Sequence, residues 1–241
     1  MNIFNDSSDS EVEPFSEDLI PSSARLEACI TETDFDGLLF PPLKLHEDLA
    51  RGCGGMIWQA GTTLAKYVLR NYDSEKLVGK RIVELGAGGG LVGLAMASKF
   101  RDAGDMKLWI TDQEPMMELM KRNTELNELT NKVKVGLLNW GEPIPASIAR
   151  APIDIILAAD CVYFEPAFPL LEQTLVELVE KDTLVLFCYK KRRRADIRFM
   201  KAISKRLNVT QIKDFQGFEE SSKESIFLSA IPLPFAAFSH S

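Results

Sequence analysis

A glycine-rich segment at residues 84–90 is the first part of the chain suited to holding a small molecule. It reads Glu-Leu-Gly-Ala-Gly-Gly-Gly and begins where the short apolar run 81–85 ends. Glycine lets a backbone turn sharply and approach a ligand closely, and a helix starting at Leu91 would offer free N–H groups there. A dinucleotide fingerprint needs a third glycine where Leu91 stands, and a P-loop needs a Gly-Lys-Ser/Thr end. The segment therefore disfavours a nucleotide-dependent oxidoreductase.

Two further candidate residues follow the next two apolar runs. Asp112 follows the run 107–111, where a carboxylate can accept hydrogen bonds from both hydroxyls of a ribose. Trp140 follows the run 132–138, where its indole either stacks on an adenine or belongs to the core. Ligands of open α/β sheets bind at the carboxyl ends of the strands. The sequence thus predicts that both residues lie beside the glycine turn.

Asp160 and Tyr163 follow a fourth apolar run, 153–159. Polar and aromatic side chains at this strand end lie where the ligands of open α/β sheets bind. Two alternative roles remain open for Asp160. It can cap the helix expected near Pro166, or it can bind an amino group of the ligand itself.

Strands and helices alternate along the chain in a way that positions these residues. Continuous apolar runs are typical of strands buried on both faces of a parallel sheet, and strand-helix-strand units cross over with a right hand. The fold class predicted is α/β, a Rossmann-like seven-stranded sheet, mostly parallel with an antiparallel closing pair, with helices on both faces. The predicted strands are 81–85, 107–111, 132–138, 153–159, 183–189, 209–214 and 225–231, and the helices are 56–71, 91–100, 116–129, 167–180 and 196–207, with none between the last two strands.

Charge and composition limit the classes of partner. Lys and Arg total 28 against 35 Asp and Glu, a formal net charge of −7, which disfavours stable binding to nucleic acid and suits a basic protein partner. Residues 1–37 begin with an acidic stretch that predicts a disordered tail, and residues 38–241 form the predicted domain. The chain shows neither an apolar run of membrane-spanning length nor an N-terminal signal, so we expect a cytoplasmic protein.

Few side chains suited to metal binding or to a hydrolytic triad are present. The four cysteines form no Cys-x-x-Cys pair and are interpreted as reduced core thiols; they are Cys29, Cys53, Cys161 and Cys188. The two histidines are His46 and His240, the second next to the last residue. A zinc site or a Ser-His-Asp triad would rest on His46 alone, so no metal is expected.

Several motifs resemble those of one enzyme family. The form Glu-x-Gly-x-Gly-x-Gly at 84–90 resembles motif I of seven-β-strand methyltransferases, although Gly89 stands where threonine is common. Asp160-x-x-Tyr163 and Gly55-x-x-Trp58 are similar to patterns of methyltransferase family 16, which is rich in protein-lysine methyltransferases. Many methyltransferases that act on nucleic-acid bases or glutamine amides carry an Asn/Asp-Pro-Pro-Tyr/Phe motif at the place of Asp160. This chain lacks both of its prolines. Residues 158–172 and 189–196 resemble the fungal members that methylate translation elongation factor 1-alpha, and the resemblance covers about residues 43–227.

The resemblance implies a protein-lysine N-methyltransferase that uses S-adenosyl-L-methionine and modifies elongation factor 1-alpha. Asp160 and Tyr163 carry over as the catalytic residues, Asp160 to orient the amine through a hydrogen bond and Tyr163 to wall the lysine channel. The carried-over or motif-derived cofactor contacts are Trp58, Glu84, Gly86, Ala87, Gly88, Asp112, Trp140 and Ala159. We expect a monomer that neither binds nucleic acid stably nor enters a membrane.

Other functions remain open from the sequence alone. The chain could methylate a small molecule or RNA, or bind the cofactor without catalysis as an interaction protein. The basic run 190–194 fits a nuclear import signal or an RNA-binding patch, a solvated start of a helix, or the border of a protein-substrate surface.

Overall fold

The structure, a computed structural model, describes residues 29–48 and 53–231. A two-stranded antiparallel hairpin precedes a seven-stranded sheet. The strands are β1 (Cys29–Thr33), β2 (Leu43–Glu47), β3 (Arg81–Leu85), β4 (Lys107–Asp112), β5 (Val133–Leu137), β6 (Ile155–Ala159), β7 (Leu184–Lys190), β8 (Thr210–Gln211) and β9 (Ile226–Ile231). The helices are α1 (Gln59–Asn71), α2 (Ser74–Leu77), α3 (Leu91–Lys99), α4 (Glu114–Leu126), α5 (Ala146–Ala149), α6 (Phe168–Leu178), α7 (Arg194–Ile203) and α8 (Phe218–Lys223).

The large sheet has the strand order β5-β4-β3-β6-β7-β9-β8. The first five strands of that order are parallel, while β9 pairs antiparallel with β7 and with β8. The carboxyl ends of β3, β4, β5 and β6 therefore lie along one edge of the sheet. The predicted fold class, including the antiparallel closing pair, is confirmed.

Both faces of the sheet are buried, which explains the continuous apolar strands. Along β3, Ile82 packs with one core cluster and Val83 and Leu85 pack with the other. The first cluster also takes the apolar sides of α1, α3 and α4, and the second takes those of α5, α6 and α7. Because side chains alternate along a strand, a strand that is apolar at every position serves both cores.

The hairpin corrects the predicted boundary of the domain. Strand β1 and the turn that follows it fall inside the segment 1–37 that was expected to be disordered. Residues 29–33 pair with β2, and Phe35 in the turn is 1% exposed. The prediction is wrong for residues 29–37, because β1 pairs with β2 and the Phe35 side chain joins the core despite the acidic neighbourhood. Residues 1–28 lie outside the described residues.

Other segments also differ from the prediction, among them the short helices α2 and α5, which were not expected, and α7, which ends at Ile203 and not at residue 207. Helix α1 begins at Gln59, not at residue 56, because Trp58 has an extended backbone. Only Thr210–Gln211 of the predicted strand 209–214 pairs with β9, and α8 lies between the last two strands, where no helix was expected. In place of a longer ladder, Phe215 packs edge-on against the rings of Tyr67 and Phe218.

Candidate active site

An open cavity of about 290 Å³ lies at the carboxyl ends of the central strands. Its wall includes both predicted catalytic residues and all eight predicted cofactor contacts, which the sequence spreads over more than a hundred positions. They are Trp58, Glu84, Gly86, Ala87, Gly88, Asp112, Trp140, Ala159, Asp160 and Tyr163. The structure thus brings the whole predicted set to one place.

The glycine turn is shaped for close approach at two positions. Gly86 and Gly88 have φ angles of 58° and 55°, a region that residues with a Cβ rarely adopt. A Cβ on Gly86 would lie 2.9 Å from Cζ2 of Trp140, and one on Gly88 would lie 2.4 Å from the carbonyl oxygen of Gly54. The turn is therefore packed between Trp140 and the segment before α1, and neither glycine can be enlarged without moving a neighbour.

Asp112 ties the glycine turn to the end of β4. Its Oδ2 accepts a hydrogen bond from the Gly88 N–H at 2.7 Å, and its Oδ1 accepts one from the Gln113 N–H at 2.7 Å. Burial raises the pKa of this carboxyl above its ordinary value, although both N–H bonds act in the opposite direction. Each oxygen keeps a lone pair for another donor. The arrangement fits the pair of hydroxyls of a ribose.

Glu84 supports the helix that follows the turn. It is 2% exposed, and its Oε2 accepts a hydrogen bond from the Gly93 N–H at 2.7 Å, inside the first turn of α3. Burial raises the pKa of Glu84 to about 8, which the backbone N–H groups of Gly93 and Val92 only partly offset. The carboxyl group lies on the cavity wall, and the hydrogen bond that it accepts stabilises the start of α3.

Asp160 lies where β6 leaves the sheet, with a φ angle of 54°. Such a backbone is uncommon outside glycine, although aspartate tolerates it better than most residues. Its carboxylate accepts two hydrogen bonds from the guanidinium of Arg192, at 2.8 and 2.7 Å, and a third from the Lys190 N–H at 3.3 Å. The residues that begin the next helical turns are Phe164 and Ala167, without a side-chain cap. The alternative role of Asp160 as a helix N-cap is therefore wrong.

Arg192 is a residue of the candidate site that sequence reasoning named only as part of the basic run 190–194. It lines the cavity and carries the bidentate contact to Asp160. Its pairing with Asp160 follows from the strand order, because β6 and β7 are adjacent parallel strands and the two residues follow their carboxyl ends. The segment 53–58 was also missed in part, because Gly54, Gly55 and Met56 lie on the wall beside the predicted Trp58.

The basic run 190–194 is largely engaged within the protein. Lys190 Nζ donates to Oε1 of Gln59 at 2.6 Å, and the ammonium of Lys191 lies 5.5 Å from the ring centre of Phe227. Arg193 donates to the carbonyl oxygen of Tyr163 and lies 3.3 Å from Oδ1 of Asp196. These contacts do not fit a simple solvated helix start. They place the run beside Tyr163 at the cavity.

The remaining candidate groups are accounted for in the described part of the chain. Cys161 and Cys188 are buried free thiols whose pKa burial raises well above the ordinary value, whereas Cys29 is exposed, so its predicted place in the core is wrong. No group of three or more His, Cys, Asp or Glu side chains suited to a metal ion occurs among residues 29–48 and 53–231. Nor does any helix there have the length and apolar character needed to cross a membrane.

Comparison with known proteins identifies the family of this site. The family model described as lysine methyltransferase matches residues 40–206. The chain belongs to this family. A relative from Saccharomyces cerevisiae, named protein-lysine N-methyltransferase EFM6, is 40% identical over 82% of this chain and 89% of its own length. Protein N-lysine methyltransferase METTL21A of Danio rerio is 32% identical over 83% of this chain and 88% of its own.

Solved structures agree at the level of the fold. The 16S rRNA N2 G1207 methyltransferase RsmC of T. thermophilus, solved with AdoMet and guanosine, matches with a TM-score of 0.59 at 13% identity, over 86% of this chain and 50% of that one. For this lysine methyltransferase family member, the predicted family and enzyme class and the predicted donor, S-adenosyl-L-methionine, are confirmed.

Proposed function

We propose that this S-adenosyl-L-methionine-dependent lysine methyltransferase modifies a lysine of translation elongation factor 1-alpha, and that Asp160 and Tyr163 receive the amine. The observation that carries the proposal is that all ten predicted site residues line one cavity. The substrate assignment is supported by the resemblance of residues 158–172 and 189–196 to fungal family members with that substrate. A net charge of −7 also suits a basic partner.

The residues present fit the methyl donor. Asp112 would take the ribose hydroxyls, Trp140 the adenine, and the turn 86–88 the part of the donor that approaches the backbone, with Trp58, Glu84 and Ala159 on the surrounding wall. When bound, S-adenosyl-L-methionine supplies a methyl group on a sulfonium centre that a neutral amine can attack in line. The turn is held by the hydrogen bond from the Gly88 N–H to Asp112.

Asp160 and Tyr163 would act on the substrate amine. The Asp160 carboxylate, fixed by three hydrogen bonds, still has a lone pair on Oδ2 that can accept a hydrogen bond from the amine. Tyr163 lines the cavity three residues later and would wall the channel that the lysine enters. Orientation of this kind can lower a barrier by about 7–11 kcal/mol. A lysine has a free pKa near 10.4, so its proton must leave to solvent before attack.

The test is transfer of a radiolabelled methyl group from S-adenosyl-L-methionine into a eukaryotic lysate, compared with Asp160→Ala. We expect the wild type to label a protein of the size of elongation factor 1-alpha at a lysine that mass spectrometry identifies. Asp160→Ala should reduce the rate by about 10²-fold, because loss of orientation is costly, with cofactor affinity changed much less.

Asp154→Ala is the matched control. Asp154 precedes β6 at the opposite edge of the sheet, where it accepts hydrogen bonds from Lys80 Nζ and the Arg81 N–H, both at 2.8 Å. Its removal should lower stability without a selective loss of turnover.

Label in RNA or in small molecules would contradict the substrate class, and cofactor binding without any label would favour a non-catalytic protein. If the activity of Asp160→Ala is within about twofold of wild type, Asp160 does not orient the amine. The monomeric state, the cytoplasmic location and the lack of nucleic-acid binding remain predictions.

A further inference from the structure

An ion pair between the partly buried Arg192 and the buried Asp160 forms the part of the cavity wall next to Tyr163. The guanidinium of Arg192 meets the carboxylate of Asp160 through two parallel hydrogen bonds, and the two side chains are 17% and 6% exposed. A planar fork of this kind fixes both the position and the orientation of a carboxylate. The geometry of Asp160 therefore depends on Arg192 as well as on the strained backbone at the end of β6.

Arg192 is itself held in place by two other elements. The buried carboxylate of Asp196, in the first turn of α7, accepts hydrogen bonds from the N–H groups of Arg192 and Arg193 at 2.8 and 2.9 Å. On the other side, the guanidinium carbon lies 5.4 Å from the ring centre of Trp58, just before α1. This distance is within the range of a cation–π contact. Arg192 is thus a fixed part of the site.

The pair changes the electrostatics that a substrate amine meets. Asp160 alone would stabilise a protonated amine, since two unit charges about 4 Å apart interact by about 4 kcal/mol at an effective dielectric constant of 20. The ion pair of Asp160 with Arg192 presents little net charge to the amine. The other titratable side chains on the wall are His46, Glu47, Glu84, Asp112, Cys161 and Tyr163, and Cys188 lies behind Asp160. Arg192 is the one Lys or Arg that lines the cavity within the described residues.

We propose that Arg192 is a positioning residue that acts through Asp160. Its guanidinium holds the carboxylate where it can accept a hydrogen bond from the amine, and it cancels the negative charge that would otherwise keep the amine protonated. This inference rests on the proposed function, because it requires a lysine amine beside Asp160.

The test compares Arg192→Met, Arg192→Lys, Asp160→Asn and the double variant Asp160→Asn/Arg192→Met, with kcat and KM measured from pH 6 to 10. Arg192→Met should lower kcat by about 10²-fold at pH 7, as expected for a displaced reacting group, and should move the kcat–pH profile to higher pH, by up to about three units for a carboxylate about 4 Å from the amine. Arg192→Lys keeps the charge, so it should keep the wild-type pH profile despite a lower kcat. In the double variant the alkaline shift should vanish, and the added loss over Asp160→Asn should be under about threefold.

Two further measurements distinguish a loss of positioning by Arg192 from a folding defect, and the second does not depend on activity. Guanidinium chloride at millimolar concentration should restore part of the activity of Arg192→Met, whereas equal sodium chloride should not. Unfolding free energies of the wild type, Arg192→Met, Asp160→Asn and the double variant should show coupling between the two positions, because an unpaired buried carboxylate is penalised more than a missing pair. Arg206→Met is the control, since Arg206 makes an exposed contact of 3.9 Å to Glu172 away from the cavity wall.

The outcomes separate this inference from the proposed function. If the wild type methylates lysine but the losses of Arg192→Met and Asp160→Asn multiply, or the pH profile does not move, Arg192 does not act through Asp160 and the inference is overturned. If the wild type labels no lysine, the proposed function fails and this inference fails with it.

Discussion

Glu84 is a carboxyl group buried below the glycine turn, and its environment makes folding depend on pH. Burial raises its pKa in the folded protein to about 8, from an ordinary value of 4.5. Below about pH 4.5 the folded and unfolded chains both hold the proton. Between there and pH 8 only the folded chain holds it, so the stability associated with Glu84 is lost as the pH rises through this window, by up to about 1.4 kcal/mol per pH unit.

Glu84→Gln should remove this dependence. A glutamine keeps an oxygen that can accept the hydrogen bond from the Gly93 N–H, now made by Glu84 at 2.7 Å, but it cannot lose a proton. We therefore expect the variant to gain stability relative to wild type by about 2 kcal/mol or more between pH 5 and pH 8, measured by urea unfolding at each pH. Glu118→Gln on the exposed side of α4 is the control and should show no such trend. A constant difference between Glu84→Gln and wild type would contradict the expectation.

The individual site residues were largely predictable because their positions follow from strand ends. A strand-end residue such as Asp112 or Asp160 can be placed once the end of one local apolar strand is predicted correctly. What the local pattern could not show is which polar groups would pair across the edge. The Arg192–Asp160 contact joins residues 32 positions apart, and its existence depends on β6 and β7 being neighbours. The sequence therefore located the site but did not describe its charge.

The hairpin β1–β2 is the element that local pattern missed, and it has a direct connection to the site. Asn123, fully buried on α4, accepts a hydrogen bond from the His46 N–H at 2.7 Å through its Oδ1. Its Nδ2 donates to the carbonyl oxygen of Gly89 at 2.9 Å. One amide thus joins the hairpin, α4 and the glycine turn. Two five-residue strands with half-exposed faces carry too little hydrophobic periodicity to predict this arrangement.

Asn123→Ala should therefore affect both stability and cofactor binding. Loss of the amide leaves the His46 N–H without this partner, which should lower the free energy of unfolding by about 1–3 kcal/mol. Since the Gly89 carbonyl is also released, affinity for S-adenosyl-L-methionine should fall by about tenfold, equivalent to about 1.4 kcal/mol. Isothermal calorimetry and thermal unfolding measure the two effects.

Asn127→Ala is the matched control for that change. Asn127 lies one turn further along and also binds the hairpin, through the N–H and the carbonyl oxygen of Lys44 at 2.9 and 2.6 Å. Its observed bonds do not extend to the glycine turn. This variant should lose stability while keeping cofactor affinity, and equal loss of affinity in both variants would show that hairpin anchoring alone, and not the link to Gly89, matters for the ligand.

The molecule as a whole presents its cavity on one edge of the sheet, and the surface beside that opening must meet the protein substrate. The segment after β6 and the start of α7 are joined there by the Arg193 contact to the Tyr163 carbonyl and by Arg198 to Glu165 at 2.6 Å. Ile197 lies between these arginines in the chain and is 39% exposed. An exposed aliphatic side chain at this place can be covered by the polypeptide that carries the lysine.

Ile197→Ser should raise KM for the protein substrate by about five- to tenfold, the loss expected when roughly 1 kcal/mol of apolar burial is removed. The kcat and the affinity for S-adenosyl-L-methionine should stay near wild type, because contact with substrate remote from the reacting atoms stabilises ground state and transition state alike. Val78→Ser is the control, since Val78 is 57% exposed but precedes β3 at the opposite edge of the sheet. An equal rise in KM for both variants would point to a general surface effect. An unchanged KM for Ile197→Ser would mean that the substrate approaches the cavity from another side. The surface formed by the segment after β6 and the start of α7 would then not contribute to substrate binding.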